Sequence, residues 1–410
     1  MNNKDRKRVK KAAKTAVKTA KRRPKLFVTV LIIVIILALA LGAVWYFYLR
    51  KDPPPIDGGN NPPKGETQTP SGGGDQTPSG GGDQTPSKTG ELSIHFLELG
   101  NKYAGDCILI KVGDTEVLID GGSRESSADT IESYVKEYCT DGILEYVIVT
   151  HADQDHIAAF AGNKTYPSLF ERFECQVIID FPRTNKTTAV YNRYVAARDA
   201  EVEAGAVHYT ALQCYRETDG AKRSYTLAEG VTMNFLYNYY YENKSSDENN
   251  YSVCMYIAQG EYNYLFTGDL EEDGEKRLVE NNDLPKCKLF KGGHHGSNTS
   301  STEALLSVIQ PEYVCICCCA GAPEYTINHD NVFPTKNMLE RVLKYTDKIY
   351  VTSLATDVVI NEEKKTGTWN YTSFNGNILV RSDGKEFTVT GSNSSESIVY
   401  SDWYKENRAS

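Results

Sequence analysis

From residue 92 onward, apolar positions fall into short runs that switch between a period of two and a period near 3.6. Residues 93–97, 107–112 and 116–119 read as strands joined by glycine turns. Ile131, Tyr134, Val135 and Tyr138 recur at i, i+3, i+4 and i+7, which predicts an amphipathic helix over 128–139. Residues 146–150 form a buried strand that delivers His151 at its end. A strand over 264–267 ends on Gly268-Asp269, and one over 288–290 ends on Lys291-Gly-Gly-His-His295. Ser300-Ser-Thr-Glu303 has the spacing of a capping box for a helix ending before Pro311. Residues 206–212 and 313–319 read as strands, and 334–345 as a helix. Strands alternating with helices predict an α/β fold. The ionisable groups sit just past strand ends, where such folds build active sites.

The first 91 residues follow other rules. Residues 1–25 carry twelve Lys or Arg against one acid, Asp5, for a charge of +11. The whole chain is −9, so the remainder sums to −20. Residues 26–49 hold no charge and are long enough to cross a ~30 Å hydrocarbon core. Trp45, Tyr46 and Tyr48 mark the far interface, and the basic block sets the N-terminus inside. A cleaved signal peptide would have a shorter apolar run ending at small residues; this run ends in aromatics. Residues 50–91 read as a flexible linker, with Gln-Thr-Pro-Ser-Gly-Gly-Gly-Asp repeated at 68–75 and 76–83. Such a tether reaches on the order of 35 Å. The organisation expected is therefore a basic cytoplasmic segment (1–25), a single-span membrane anchor (26–49), a linker (50–91), an extracellular catalytic domain (92–391) and a polar C-terminal tail (392–410).

Ten cysteines show no paired spacing. Cys315, Cys317, Cys318 and Cys319 lie in an apolar run, where neighbours point to opposite faces of a strand. Core thiols are expected there rather than a metal cluster. The histidines and aspartates are more informative. His151, Asp153, Asp155 and His156 occupy six residues of one strand-end loop. Imidazole and carboxylate suit Zn²⁺ and similar cations, and one tight loop can feed two adjacent ions but cannot aim four groups at one. Two ions ~3.5–4 Å apart can generate a nucleophile near neutral pH. Asp269 and the His294-His295 pair, flanked by glycines, stand where further ligands would be needed. His208 and His95 lie within strands and read as satisfied structural histidines.

His151-x-Asp-x-Asp-His156, Phe266-Thr-Gly-Asp269, Gly293-His-His-Gly-Ser297 and the later His329 resemble the metallo-β-lactamase superfold. Most closely they are similar to the extracellular hydrolase domain of ComEC-type competence (DNA-uptake) proteins. Leu118-Ile-Asp-Gly-Gly122, Gly105-Asp106 and Asn249-Asn-Tyr-Ser252 add to the likeness. The resemblance implies an αβ/βα four-layer sandwich holding two divalent ions, Zn²⁺ or Mn²⁺. It implies His151 and Asp153 on one ion, Asp155 and His156 on the other, and Asp269 bridging. His294 or His295 would complete one site and His329 the other, with Asn250 and Ser297 toward substrate. The catalytic burden would fall on Asp155, His156 and Asp269. Asp153 stands where most of the superfold has His, which argues against a β-lactamase role and admits Mn²⁺ beside Zn²⁺.

By that resemblance the substrate is a phosphodiester, first of all extracellular nucleic acid. The single span excludes a DNA pore of the multi-span kind. The −20 balance beyond the basic block counts against a broad DNA-binding surface. Two other readings stand beside the nuclease: a phosphodiesterase acting on cell-wall polymers such as teichoic acid or on phosphorylcholine esters, and a non-catalytic surface binding module.

Overall fold

The computed structural model of the protein describes residues 90–409. The basic segment, the apolar run and the repeat-bearing linker lie outside the described residues. Three strands, β1 (Leu92–Phe96), β2 (Ile108–Val112) and β3 (Thr115–Ile119), meander antiparallel. Helix α1 (Ser127–Val135) leads into β4 (Ile143–Ile148). Helices α2 (Gln154–Ala161) and α3 (Leu169–Arg172) lead into β5 (Glu174–Asp180), and α4 (Ala189–Glu203) into β6 (Val207–Thr210). From β3 to β6 the pairing is parallel, as helical crossovers require.

The second half repeats the plan. After α5 (Ala211–Arg216), strands β7 (Ser224–Ala228), β8 (Val231–Phe235), β9 (Met255–Gln259) and β10 (Tyr262–Phe266) meander antiparallel. Helix α6 (Glu272–Asn281), β11 (Leu289–Lys291), α7 (Glu303–Ile309), β12 (Tyr313–Ala320), α8 (Lys336–Val342) and β13 (Ile349–Asn361) continue in parallel. Strand β14 (Thr366–Ser373) folds back on β13. β15 (Ile378–Ser382) and β16 (Phe387–Gly391) then return to the first sheet, where β15 pairs with β1. Two eight-stranded sheets result, ordered β16-β15-β1-β2-β3-β4-β5-β6 and β14-β13-β12-β11-β10-β9-β8-β7. This is the two-sheet α/β body that the motifs implied.

Strand β12 shows why the cysteines are where they are. Cys315 and Cys317 join the core shared by both sheets, with Val117, Leu109, Met233 and Tyr264. Val314, Ile316 and Cys318 face the other way, against Leu305, Leu306, Met338 and Leu339 of α7 and α8. All ten cysteines are buried free thiols, and burial raises the Cys315 and Cys318 thiols above their ordinary range. The C-terminal residues also join the body. Ile398 is buried, Arg408 donates to the carbonyls of Pro334 and Val332, and α9 (Asp402–Asn407) is capped by Ser401. No described helix is long and apolar enough to cross a membrane.

Two local expectations are corrected. The strand expected over 206–212 is cut at Thr210, whose hydroxyl accepts from Gln213 N–H and starts α5 with a capping box. The capping box expected at Ser300 and Glu303 does not form, because α7 starts at Glu303 with Thr302 as N-cap. A distant carboxylate has taken over that role: Glu275 of α6 accepts from Ser301 N–H, Thr302 N–H and the Thr302 hydroxyl. Burial pushes the Glu275 carboxyl up to about 7 despite those donors. Glu275→Ala orphans three donors and should cost on the order of 3 kcal/mol at pH 5, read by urea denaturation. The native carboxyl holds its proton more tightly than an unfolded one. Its contribution is therefore full below about pH 4.5 and is lost as pH rises through 7, so the difference between wild type and variant should shrink over that window.

Candidate metal centre

The centre lies past the C-terminal ends of β3, β4, β10 and β11, the parallel middles of the two sheets. β4 ends on the buried apolar Val147 and Ile148, and Val149 and Thr150 carry its direction on to His151. Asp153 then sits at the N-cap of α2, which places Asp155 and His156 in the first helical turn. Asp269 follows β10 through Gly268, whose φ of +55° and close approach to Ser252 and Thr150 leave no room for a side chain. His294 and His295 follow β11 in a left-handed turn, with φ of 47° and 52°. Non-glycine residues hold that conformation only where surroundings enforce it. Here Gly296 lies against Pro334, so close that a Cβ would meet it at 2.6 Å.

The turn sends the adjacent histidines to different depths. His295 is fully buried and aims inward: Nε2 lies 3.2 Å from Asp269 Oδ2 and 3.5 Å from Asp155 Oδ2. Its Nδ1 is 3.0 Å from the Cys317 carbonyl, which fixes the ring. His294 stays at the rim, with Nε2 3.9 Å from Asp269 Oδ2 and Nδ1 near Glu271 and Thr299. His156 Nε2 is 3.1 Å from Asp269 Oδ2. His151 Nε2 is 3.7 Å from Asp153 Oδ2. The loop, Asp269 and the histidine pair are thus brought together.

Three sequence expectations fare differently. His329 is not brought to the centre; its exposed side chain lies 2.9 Å from Asn407 Oδ1 and near Asp330. Its loop is held by Asn328, which caps it from outside. Asn250 is buried and accepts from Glu271 N–H, so it shapes the loop rather than the opening, where Asn249 stands instead. Ser297 is also buried and turned to Thr299. His208 and His95 are satisfied, by Asp180 and by Tyr134 and Ser93 respectively.

Beneath the candidate ligands lies a buried ionic layer that the sequence reading did not single out. Asp120, in a left-handed conformation after β3, receives Thr150 N–H and lies 2.7 Å from His156 Nδ1. Lys291, the last residue of β11, is buried and donates to the Gly268 carbonyl and Asp269 Oδ1, with Asp106 Oδ2 at 2.5 Å. One oxygen of Asp269 is therefore held by Lys291 and the other, Oδ2, is left for the histidines. Asp106 and Asp120 stood in the sequence within motifs of the family likeness but with no role given them, and Lys291 only as a charge ending a strand.

Two observations show that these residues fit a metal. His151 Nε2 and His295 Nε2 are buried with no hydrogen-bond partner; His295 Nε2 lies 3.2 Å from Asp269 Oδ2, and His151 falls in one donor set with Asp269. The donors also form compact sets, His151–His156–Asp269 and Asp155–His156–His295, with atoms within 4.8 Å of one another. Electrostatics agree. Burial, then the neighbouring His156 charge, holds His151 well below the ordinary imidazole range, so its lone pair is free. Burial disfavours charge on His156 and His295, yet Asp269 with Asp120 or Asp106 outweighs it and raises both. The carboxylates thus demand positive charge where a cation would sit. The opening above is a cavity of about 370 Å³ walled by Arg124, Gln154, Asn249, Glu324 and Tyr325. The Tyr325 hydroxyl donates to Asp155 Oδ2 at 3.0 Å.

The profile of the metallo-beta-lactamase superfamily matches residues 100–162 and 247–320, the segments that carry these groups. These segments thus match the metallo-beta-lactamase superfamily, which supports a hydrolase. Among curated proteins it is similar to Recombination protein 2 of Haemophilus influenzae, 29% identical over 260 residues covering 63% of this chain and 27% of that one. It is also similar to ComE operon protein 3 of Bacillus subtilis, 24% identical over 172 residues covering 41% and 19%. Competence protein ComA of Neisseria gonorrhoeae is 37% identical over 86 residues, 21% and 12%. The chain spans at most about a quarter of these relatives' length. The solved metallo-beta-lactamase fold protein YhfI of Bacillus subtilis aligns with a TM-score of 0.38 at 14% identity, over 68% of this chain and 99% of that one.

Proposed function

We propose that this protein is a membrane-anchored, extracellular metallohydrolase that cleaves phosphodiesters, with nucleic acid as the leading substrate. The observation that carries the reading is the pair of buried, unpartnered imidazole nitrogens, His151 Nε2 and His295 Nε2, within the donor sets gathered around Asp269. His151, Asp153, Asp155, His156, His294, His295 and Asp269 would hold divalent ions, Zn²⁺ or Mn²⁺. Bound there, the ions supply Lewis acidity and a nucleophile at neutral pH. The chain's own part is orientation. Asp120 and the Cys317 carbonyl fix the imidazoles of His156 and His295, and Lys291 holds Asp269 Oδ1 so that Oδ2 faces those two rings. Arg124, held over the Tyr103 ring at 3.7 Å, offers a guanidinium at the opening for an anionic substrate.

The likeness to competence proteins supports nucleic acid. The net charge of −20 beyond residue 25 counts against a broad DNA-binding surface and keeps a wall polymer as the second reading. Incubating the chain with Mn²⁺ or Zn²⁺ and comparing DNA with teichoic acid separates the two. Faster cleavage of DNA favours the first, and cleavage of wall polymer alone favours the second. Residues 26–49 and the flanking charge support the anchor and its orientation. Protease added to intact cells should then clip between residues 50 and 91 and release a folded domain. Protection of that segment from outside would refute the orientation.

A further inference from the structure

The donors around Asp269 divide into two groups with unequal support. The inner group is Asp155, His156 and His295, each within 3.5 Å of another member or of Asp269. Both of its imidazoles are fixed from behind, by Asp120 and by the Cys317 carbonyl. The outer group is His151, Asp153 and His294. His151 Nε2 is buried and unpartnered, and behind its Nδ1 stand hydroxyls, Thr150 at 3.1 Å and Ser252 at 3.5 Å, where the inner rings have a carboxylate and a carbonyl. His294 divides its contacts with Glu271 and Thr299. Asp153 is about a quarter exposed, and its Oδ1 is ion-paired with Lys186 Nζ. Lys186 comes from the segment after β5, and burial is only partial there, so the ammonium can swing away.

We infer that the two metal positions are unequal, and that Lys186 sets the affinity of the outer one by competing with the metal for Asp153. This rests on the reading of the centre as a metallohydrolase site. A cation entering the outer position must draw Asp153 off Lys186, and it then stands beside a like charge in a half-buried, weakly screened place. Among the described residues no lysine is paired with a carboxylate of the inner position in this way, since Lys291 is spent on Asp106 and on the Asp269 oxygen facing away. Lys186 is thus a positioning residue for the metal and not a ligand.

The test is a Mn²⁺ titration of the chelator-stripped, full-length chain by calorimetry, with retained metal counted by elemental analysis after gel filtration. Wild type should retain one ion and bind a second at least about tenfold more weakly. Lys186→Met should tighten the second step by about tenfold or more and leave the first unchanged. Lys186→Arg, which keeps the charge, should behave like wild type. Asp153→Asn should remove the second step alone, and His295→Ala should weaken the first. Two equal steps in wild type, or a second step indifferent to Lys186→Met, would overturn the inference and leave the metal centre standing. Absence of any bound metal would instead sink the hydrolase reading itself.

Discussion

Asp269→Asn should reduce metal-dependent phosphodiester cleavage by roughly 10³-fold, the scale set by removing a preorganised electrostatic group from an active site. Asp269 Oδ2 is the point on which His156 Nε2 and His295 Nε2 converge, at 3.1 and 3.2 Å. An amide in its place carries no charge and offers one acceptor where the site uses two. It would also turn an N–H toward either Lys291 or the histidines. His156→Ala should do comparable damage by removing the imidazole that Asp120 positions. Both losses should occur without unfolding. The affected side chains sit beyond the strand ends, apart from the apolar cores that join sheets and helices. Initial rates on bis-p-nitrophenyl phosphate, with circular dichroism as the control, check both points.

Lys291→Met has its largest expected effect on stability. Burial opposes the Lys291 charge, but Asp106 and Asp269 outweigh it and hold the ammonium in its charged form, above the usual lysine range. The same partnership helps hold Asp106, against burial, down to about 2. Methionine fills the space and removes the cation, leaving two carboxylates buried with less compensation. Breaking one side of such a buried pair costs about 3–5 kcal/mol, visible as a lower urea midpoint. Saturating Mn²⁺ or Zn²⁺ should recover part of the loss, because an ion bound only by the native state stabilises it and supplies positive charge at the same place. A loss below about 1 kcal/mol, or one indifferent to metal, would show that Lys291 is not the charge balancing this layer.

The candidate ligands of the centre were legible in the sequence, and the residues that hold them in place were not. His151 through His156 could be read because four ligand-type residues follow one apolar strand within a single turn of chain. Asp269 and the His294-His295 pair could be read because each also ends a strand. The choice between the two histidines could not be read. Both sit in left-handed conformations, where neither strand alternation nor helical spacing says which ring turns inward. Asp106, Asp120 and Lys291 meet only through the order of β2, β3, β10 and β11 across two sheets, which no local pattern encodes. His329 erred for the opposite reason: its residue type fitted, but the path of its loop is fixed by Asn328 and Asn407. The Ser300 capping box failed because the Ser300 hydroxyl is given to the Leu270 carbonyl, while Glu275, far off in sequence, takes the neighbouring Ser301 and Thr302 N–H groups. Local spacing predicted β12 and its buried thiols well, since alternation across a strand needs no distant partner.

The central claim, a metal-dependent phosphodiesterase centred on Asp269, is tested most directly by following one preparation through metal removal and return. Turnover of bis-p-nitrophenyl phosphate and of DNA would be measured on the purified chain as isolated, after chelator, and after Mn²⁺ or Zn²⁺ is restored. The account predicts activity that vanishes with chelator and returns with metal in wild type but not in Asp269→Asn. Turnover that is negligible in every state, or equal in wild type and Asp269→Asn, would contradict it.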